Sequence, residues 1–373
     1  MKTLGQLKLE LMHRGVVLSP EARRKESIAD GLTNENGHEE IVFSLAEDFF
    51  VRTFIQVSGK DGIGLNVHKG KTLLSLKPKD REVSIMPVPR FIRKKKKTPN
   101  PVSANIGLDG YCLNLFLRKV AKTGELNLSQ QAVISVIREA FEEGVADLVQ
   151  LNMDYCEDPD RGIQQLTPLI RLIKKNFRTF VALRGFAPED NATVDRIYAA
   201  GIDLLAFPLE GFSQSGDQTP ALSPKTSLHS LEYAAGVFPQ GTVFTELAFG
   251  SGDLDSLSVK INHMIKNGIV PYLQLPGPGN PNPLEYERIQ KGINLLVKSS
   301  QKYKLILKWL YPSGGLASPL DAPYFLESGD KARLVQKPIY KSTLGKTASE
   351  GFAALRRKLR VKDISDSYES AGL

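Results

Sequence analysis

Two cysteines, one arginine and a scatter of acids and amides recur just after apolar runs, which is where side chains can converge on a ligand. Asp109, Gly110, Tyr111 and Cys112 follow the run Ala104–Leu108, and Asn114 and Arg118 extend that segment. Asn152, Asp154, Cys156, Glu157 and Asp158 follow Asp147–Asn152. Arg184 and Glu210 follow the next two runs, Glu246 sits near the end of Thr242–Phe249, and Gly250, Ser251, Gly252 and Asp253 come after it. Carboxylates in such a set suit acid–base work, and an arginine among them can clamp a carboxylate or phosphate in two-pronged fashion. The plainer role for Arg184 is to pair with Asp154 or Glu210 and satisfy buried charge. Two thiolates with a carboxylate could hold a soft metal if Cys112 and Cys156, which follow adjacent strands, meet. Their plainer role is inert packing, since free cysteine is among the most buried residue types.

Other chemistries are poorly served. The five histidines, His13, His38, His68, His229 and His263, form no Ser-His-Asp order and no zinc spacing. The glycine-rich segments Phe249–Asp253 and Pro276–Asn280 each lie between a strand-like and a helix-like run, where backbone amides favour anions, yet neither matches a Walker A or dinucleotide fingerprint.

The elements that would position these residues alternate from residue 102 onward. Apolar runs at Ala104–Leu108, Asp147–Asn152, Thr179–Leu183, Leu204–Pro208, Thr242–Phe249 and Val270–Leu275 read as strands. Helical spacing covers Ser129–Glu143, Arg161–Asn176, Asn191–Ala200, Ser227–Ala235, Leu254–Asn267 and Pro283–Ser300. Gly144, Gly201 and Gly268 close helices, and Ser129 and Asp190 serve as N-caps. Six βα units predict a parallel sheet with helices outside, and periodicity alone does not separate an open sheet from a partial barrel. The run Leu305–Leu310 extends or closes the sheet. Before these units, short strand-like runs at Ile41–Leu45, Val51–Val57, Ile63–His68, Thr72–Leu76 and Val83–Val88 predict a small antiparallel module behind an N-terminal helix. The expected organisation is a small α+β module at 1–92, a basic linker at 93–101, the (βα)6 barrel at 102–312 and an extension at 313–373 with one helix at Glu350–Leu359.

Composition sets the class. Of 373 residues, 41% are hydrophobic and 24% charged, as in ordinary globular chains. No run of about 18 apolar residues predicts a membrane span, and Met1–Gly15 lacks the apolar core of a secretory signal. Only two cysteines point to a reducing compartment, so a cytoplasmic location is expected. The net charge is +8, with much of the excess in Arg90–Lys97 and the C-terminal third. That cluster reads either as a solvated linker or as a nucleic-acid patch with only Phe91 to stack on bases. The N-terminal module and linker also suit docking of a protein partner in a maturation role.

Three phrases resemble the partial barrel of the radical S-adenosylmethionine superfamily, in its biotin synthase-like branch. They are Gly110–Asn114, the stretch from Leu128 to Asp147, and the stretch from Gly241 to Gly250 with Asn267–Tyr272. The resemblance implies a (βα)6 TIM-like barrel of radical SAM type, with S-adenosylmethionine at its mouth held by Asn152, Asp154, Arg184, Glu246 and Gly250. It also implies a role in cofactor biosynthesis. It places Cys112 at a cluster-ligand position, with Cys156 as the other thiol. The family's cluster loop has three cysteines. Counting from Cys112, the other two places hold Phe116 and Lys119, so the motif is degenerate and a [4Fe-4S] cluster lacks ligands. Three readings follow. The chain binds a small polar ligand without radical chemistry, or holds an atypical cluster through Cys112, Cys156 and other ligands, or is a TIM-like lyase using Asp154, Glu210 and Glu246.

Overall fold

A computed structural model describes residues 3–24, 32–33, 39–56, 62–86, 105–120, 122–209, 224–248, 254–275, 283–326 and 338–339. The chain divides into two compact units, 1–88 with 246–337 and 89–245 with 338–373. The basic stretch 93–101, Glu210, Gly250 and Asp253, the second glycine-rich segment and the helix expected at Glu350–Leu359 lie outside the described residues.

Unit 1 opens with helix α1 (Leu4–Arg14). Thr3 caps it: its hydroxyl accepts from the Gln6 amide at 3.2 Å, while the Gln6 side chain accepts from the Thr3 amide at 2.9 Å. The helix ends at Gly15, whose φ of 68° only glycine adopts freely. Next come β1 (Val16–Leu18), α2 (Pro20–Arg24), β2 (Leu32–Thr33), β3 (Glu39–Ala46), β4 (Phe49–Gln56), β5 (Ile63–His68), β6 (Lys71–Leu74) and β7 (Arg81–Ile85). The short strands expected at 41–88 correspond to β3–β7. Period-2 reading missed β1, which is three residues long and pairs in parallel with both β4 and β5. The remaining pairings are antiparallel, and β7 returns to β3, closing six strands into a barrel with β2 on its rim. Closure removes the exposed edges that an open sheet would carry. Val16, Phe43, Val51, Leu65 and Leu74 are wholly buried in this unit.

Unit 2 carries β8 (Ile106–Asp109), β9 (Cys112–Leu117), α3 (Gln130–Glu142), β10 (Leu148–Met153), α4 (Thr167–Asn176), β11 (Phe180–Arg184), α5 (Asn191–Ala200), β12 (Leu204–Ala206), α6 (Pro224–Val237) and the start of β13 (Val243–Ala248). The last residues of β13, together with α7 (Leu254–Lys266), β14 (Val270–Gln274), α8 (Pro283–Lys302), β15 (Leu316–Ala317) and α9 (Ala322–Phe325), belong to unit 1. The eight-stranded sheet runs β15-β14-β13-β12-β11-β10-β9-β8. Strands β9 to β13 pair in parallel, and β8 and β15 are antiparallel to their neighbours. The chain is thus a mixed α/β protein whose largely parallel sheet is compatible with a TIM-like fold.

The sheet differs from expectation at both ends. Where a loop is expected after the first strand, the chain forms a β-hairpin, β8 to β9, so the first parallel strand is Cys112–Leu117. Its run Leu-Asn-Leu-Phe-Leu alternates in a way a loop has no need of. At the other end, Leu305–Leu310 forms no strand, and the short β15 pairs antiparallel with β14 instead.

One face of the unit 2 sheet is apolar throughout. Leu113, Leu115, Val149, Leu151, Val181 and Leu183 are completely buried there. Helix α3 packs on β9, and its buried stripe of Val133, Ile137, Ala140 and Phe141 has helical spacing. Phe141 meets Phe177 edge-on at 5.5 Å. Burying each Val, Leu or Ile contributes about 1.5–3 kcal/mol, so this layer accounts for the sheet's cohesion.

Candidate ligand-binding site

The opposite face of the same strands is polar. Side chains alternate along a strand, so Asn114 and Phe116 of β9, Gln150 and Asn152 of β10 and Ala182 and Arg184 of β11 share one face. The register sets Asn114 beside Gln150, Gln150 beside Ala182, and Phe116, Asn152 and Arg184 in one row. Gln150 Nε2 donates to Asn114 Oδ1 at 3.0 Å and to Asn152 Oδ1 at 2.8 Å. Asn152 Nδ2 donates to the same Asn114 oxygen at 3.2 Å. Asn114 and Asn152 are buried, while Gln150, Phe116 and Arg184 are half-buried. Strands of a parallel sheet are normally apolar on both faces. A net hydrogen bond contributes about 0.5–1.5 kcal/mol, less than an apolar side chain packed in the same place. Stability alone therefore does not select three amides here.

Beyond this row lies the carboxyl end of the strands. Asp154 follows β10, with its amide donating to Leu117 O at 3.0 Å. Its side chain stays partly open to solvent. Surrounding protein raises its pKa above the ordinary carboxylate value, with Arg118 pulling the other way. The segment after Asp154 is organised by Arg161. Its Nη1 reaches the carbonyls of Cys156, Glu157 and Asp158 at 3.2–3.4 Å, and its Nη2 pairs with Glu189 at 2.8 Å. Arg161 takes a φ of 55° and Gly162 one of 72°, folding the loop back on itself.

Cys156 sits in that loop, half-buried, with its sulfur 3.3 Å from Asp158 Oδ2. The same oxygen accepts from Lys119 Nζ at 2.6 Å. Lys119 holds the Asp158 carboxyl below its usual pKa, and the carboxylate holds the Lys119 ammonium above its own. Burial raises the Cys156 thiol, and the Asp158 carboxylate further secures its proton. Both effects favour the thiol over the thiolate, the form that acts as nucleophile.

The candidate residues fall into three groups. Asn152, Asp154 and Arg184 come together on β10 and β11 in unit 2. Glu246 lies in the unit 1 part of β13, buried, and accepts from Gln274 Nε2 at 3.2 Å. The cysteines do not meet. Cys112 opens β9 level with Leu148, whereas Cys156 lies beyond Met153 at the other end of β10. Five strand residues at about 3.3 Å each put roughly 17 Å between those ends. Among the described residues, no group of three or more His, Cys, Asp or Glu could hold a metal ion. Cys112 is buried in a strand at the amino end of the sheet. Gln150 and Ala182 are absent from the sequence expectation, and Phe116 enters it only as a non-cysteine place in the supposed cluster loop. The signal was Leu-Val-Gln-Leu-Asn-Met, two amides one pleat apart in an apolar strand.

No family model matches the chain, and no curated protein does. Solved structures that match include a dihydropteroate synthase from Coxiella burnetii in complex with pteroic acid, at 14% identity and a TM-score of 0.30, covering 50% of this chain and 68% of that one. The supposed cluster loop is the β8–β9 hairpin, which puts Cys112 at the amino end of the sheet, so the radical SAM resemblance is overturned. Among the described residues, no helix is long and apolar enough to cross a membrane.

Proposed function

We propose that unit 2 binds a small organic anion on the polar face of β9–β11, near the carboxyl ends of the strands. Arg184 takes the ligand's carboxylate or phosphate, and the Asn114–Gln150–Asn152 network takes its neutral polar groups. The observation that carries this reading is the network itself: three amides on an otherwise apolar pair of strands, in register with an arginine. In parallel βα sheets ligands bind outside the carboxyl ends of the strands, which agrees with the position of Arg184. S-Adenosylmethionine, with its carboxylate, amino group and purine, is a suitable probe. Asp154, with its raised pKa, favours a second reading in which the bound molecule exchanges a proton there, as in a lyase.

Isothermal titration with S-adenosylmethionine and with ribose 5-phosphate tests the proposal. At least one should bind, and Arg184→Ala should weaken it about tenfold or more, as expected for a lost charge-assisted contact. Equal affinity in wild type, Arg184→Ala and Asn152→Leu would remove this face from consideration, as would no binding of either probe.

A further inference from the structure

Arg161 takes a conformation that stability does not explain. Its φ is 55°, in the left-handed region that glycine adopts freely and arginine does not. Its side chain is 7% exposed and pairs with Glu189, which is 54% exposed, so a buried cation has only a solvated carboxylate as its partner. Its Nε is buried without a hydrogen-bond partner. A glycine would relieve the backbone and leave no charge in the interior. Strain of this kind persists where the surroundings impose it, and it marks positions that serve a site.

The guanidinium ties together two loops at the carboxyl ends of the strands. In the loop after β10, its Nη1 donates to the carbonyls of Cys156, Glu157 and Asp158, and its central carbon lies 5.5 Å from the centre of the Tyr155 ring. In the loop after β11, its Nη2 pairs with Glu189, whose amide donates to Pro159 O at 2.9 Å. Tyr155 also meets Phe186 edge-on at 5.3 Å. Asp154 directly precedes Tyr155, and Arg184 lies two residues before Phe186. Each side of that aromatic contact therefore carries a charged group of the proposed site. Resting on that site, we infer that Arg161 is its positioning residue. It touches no ligand, and its guanidinium locks the two loops so that Arg184 stands where the anion is held. Loops free of the tie would spread Arg184 over many arrangements, and affinity would fall because binding must then order them.

Isothermal titration of the full chain tests this, with whichever of S-adenosylmethionine and ribose 5-phosphate binds the wild type. Arg161→Gly suits the left-handed backbone and removes the guanidinium. It should weaken that probe about tenfold, the size of effect that residues of one network have on each other. Guanidinium chloride at low millimolar concentration should restore the affinity, and sodium chloride at the same ionic strength should not. Combined with Arg184→Ala, Arg161→Gly should add almost nothing, because both act on one contact. Glu189→Gln cuts the tie at its solvated end and should also weaken the probe, and it carries the test alone if Arg161→Gly does not fold. Wild-type affinity in both Arg161→Gly and Glu189→Gln would overturn the positioning role while leaving the ligand site standing. So would a loss that guanidinium does not restore, or one that adds in full to that of Arg184→Ala. If neither probe binds the wild type, the ligand site falls and this inference with it.

Discussion

Cys156 and Asp154, in one loop, both hold their protons more tightly than the free groups do. The Cys156 proton is held by burial and by the Asp158 carboxylate, so alkylation by iodoacetamide should reach half its limiting rate at a higher pH than a small thiol measured alongside. Asp158→Asn removes the carboxylate and leaves Lys119 near the sulfur without its partner, so the midpoint should drop. A wild-type midpoint below that of the free thiol would contradict this account. Buried Cys112 should react far more slowly in the native chain, which peptide mapping would show. Asp154 is a carboxyl whose folded pKa lies above its unfolded one. The folded state therefore binds its proton more tightly than the unfolded state, and stability is lost as pH rises through the raised folded pKa. Asp154→Asn should melt above wild type at pH 7, and the gap should close below the ordinary aspartate range. An Asn variant that melts lower than wild type at every pH would show that the carboxylate is held by attraction instead.

Strands and turns decide what the residues can reach. At Gly15 the left-handed backbone ends α1 and enters β1, and a Cβ there would lie 2.6 Å from the Phe54 ring and 2.8 Å from the Phe54 carbonyl oxygen. Gly15→Ala should cost at least about 1–2 kcal/mol from the backbone conformation alone, read as a lower midpoint in urea. No change in midpoint would mean that the turn relaxes freely. Elements of this kind were partly legible in the sequence. The helices of the βα units carry regular apolar stripes and polar caps such as Ser129 and Asp190, and glycines with positive φ at Gly144, Gly201 and Gly268 end three of them. What misled was β9. Gly110, Tyr111 and Cys112 together resemble a functional loop, although Cys112–Leu117 alternates like a strand. A short hairpin and a ligand loop look alike locally, and only the pairing of β8 with β9 separates them. With Cys112 at the amino end of the sheet, the polar face falls on Asn114, Gln150 and Asn152. Three-residue β1 was illegible for a related reason: its parallel partners lie some forty residues further along the chain.

At the scale of the whole chain, unit 1 is discontinuous, and one buried lysine ties its two segments together. Lys8 of α1 is fully buried. Its Nζ donates to Ser313 O at 2.9 Å and to Leu316 O at 3.4 Å, and it lies 3.4 Å from Asp321 Oδ1 and 5.0 Å from the centre of the Phe49 ring. Asp321 in turn accepts from the Ser318 amide at 2.8 Å. One ammonium thus fixes the path of a segment more than 300 residues away. A buried charge pair contributes little compared with apolar packing, but removing one partner leaves the other charge uncompensated, which costs about 3–5 kcal/mol. Lys8→Met should therefore lower the melting temperature of the chain sharply, and Lys8→Met with Asp321→Asn, which removes the charge and keeps an acceptor for the Ser318 amide, should recover much of the loss. Hydrogen exchange adds a local reading: amides from Ser318 to Leu326 should exchange faster in Lys8→Met, whereas those of β9–β11 should be unchanged if the clamp serves unit 1 alone. Equal protection of Ser318–Leu326 in both proteins would mean that apolar contacts of α9, such as Phe325 against Phe49 at 6.0 Å, suffice to hold the segment without the lysine.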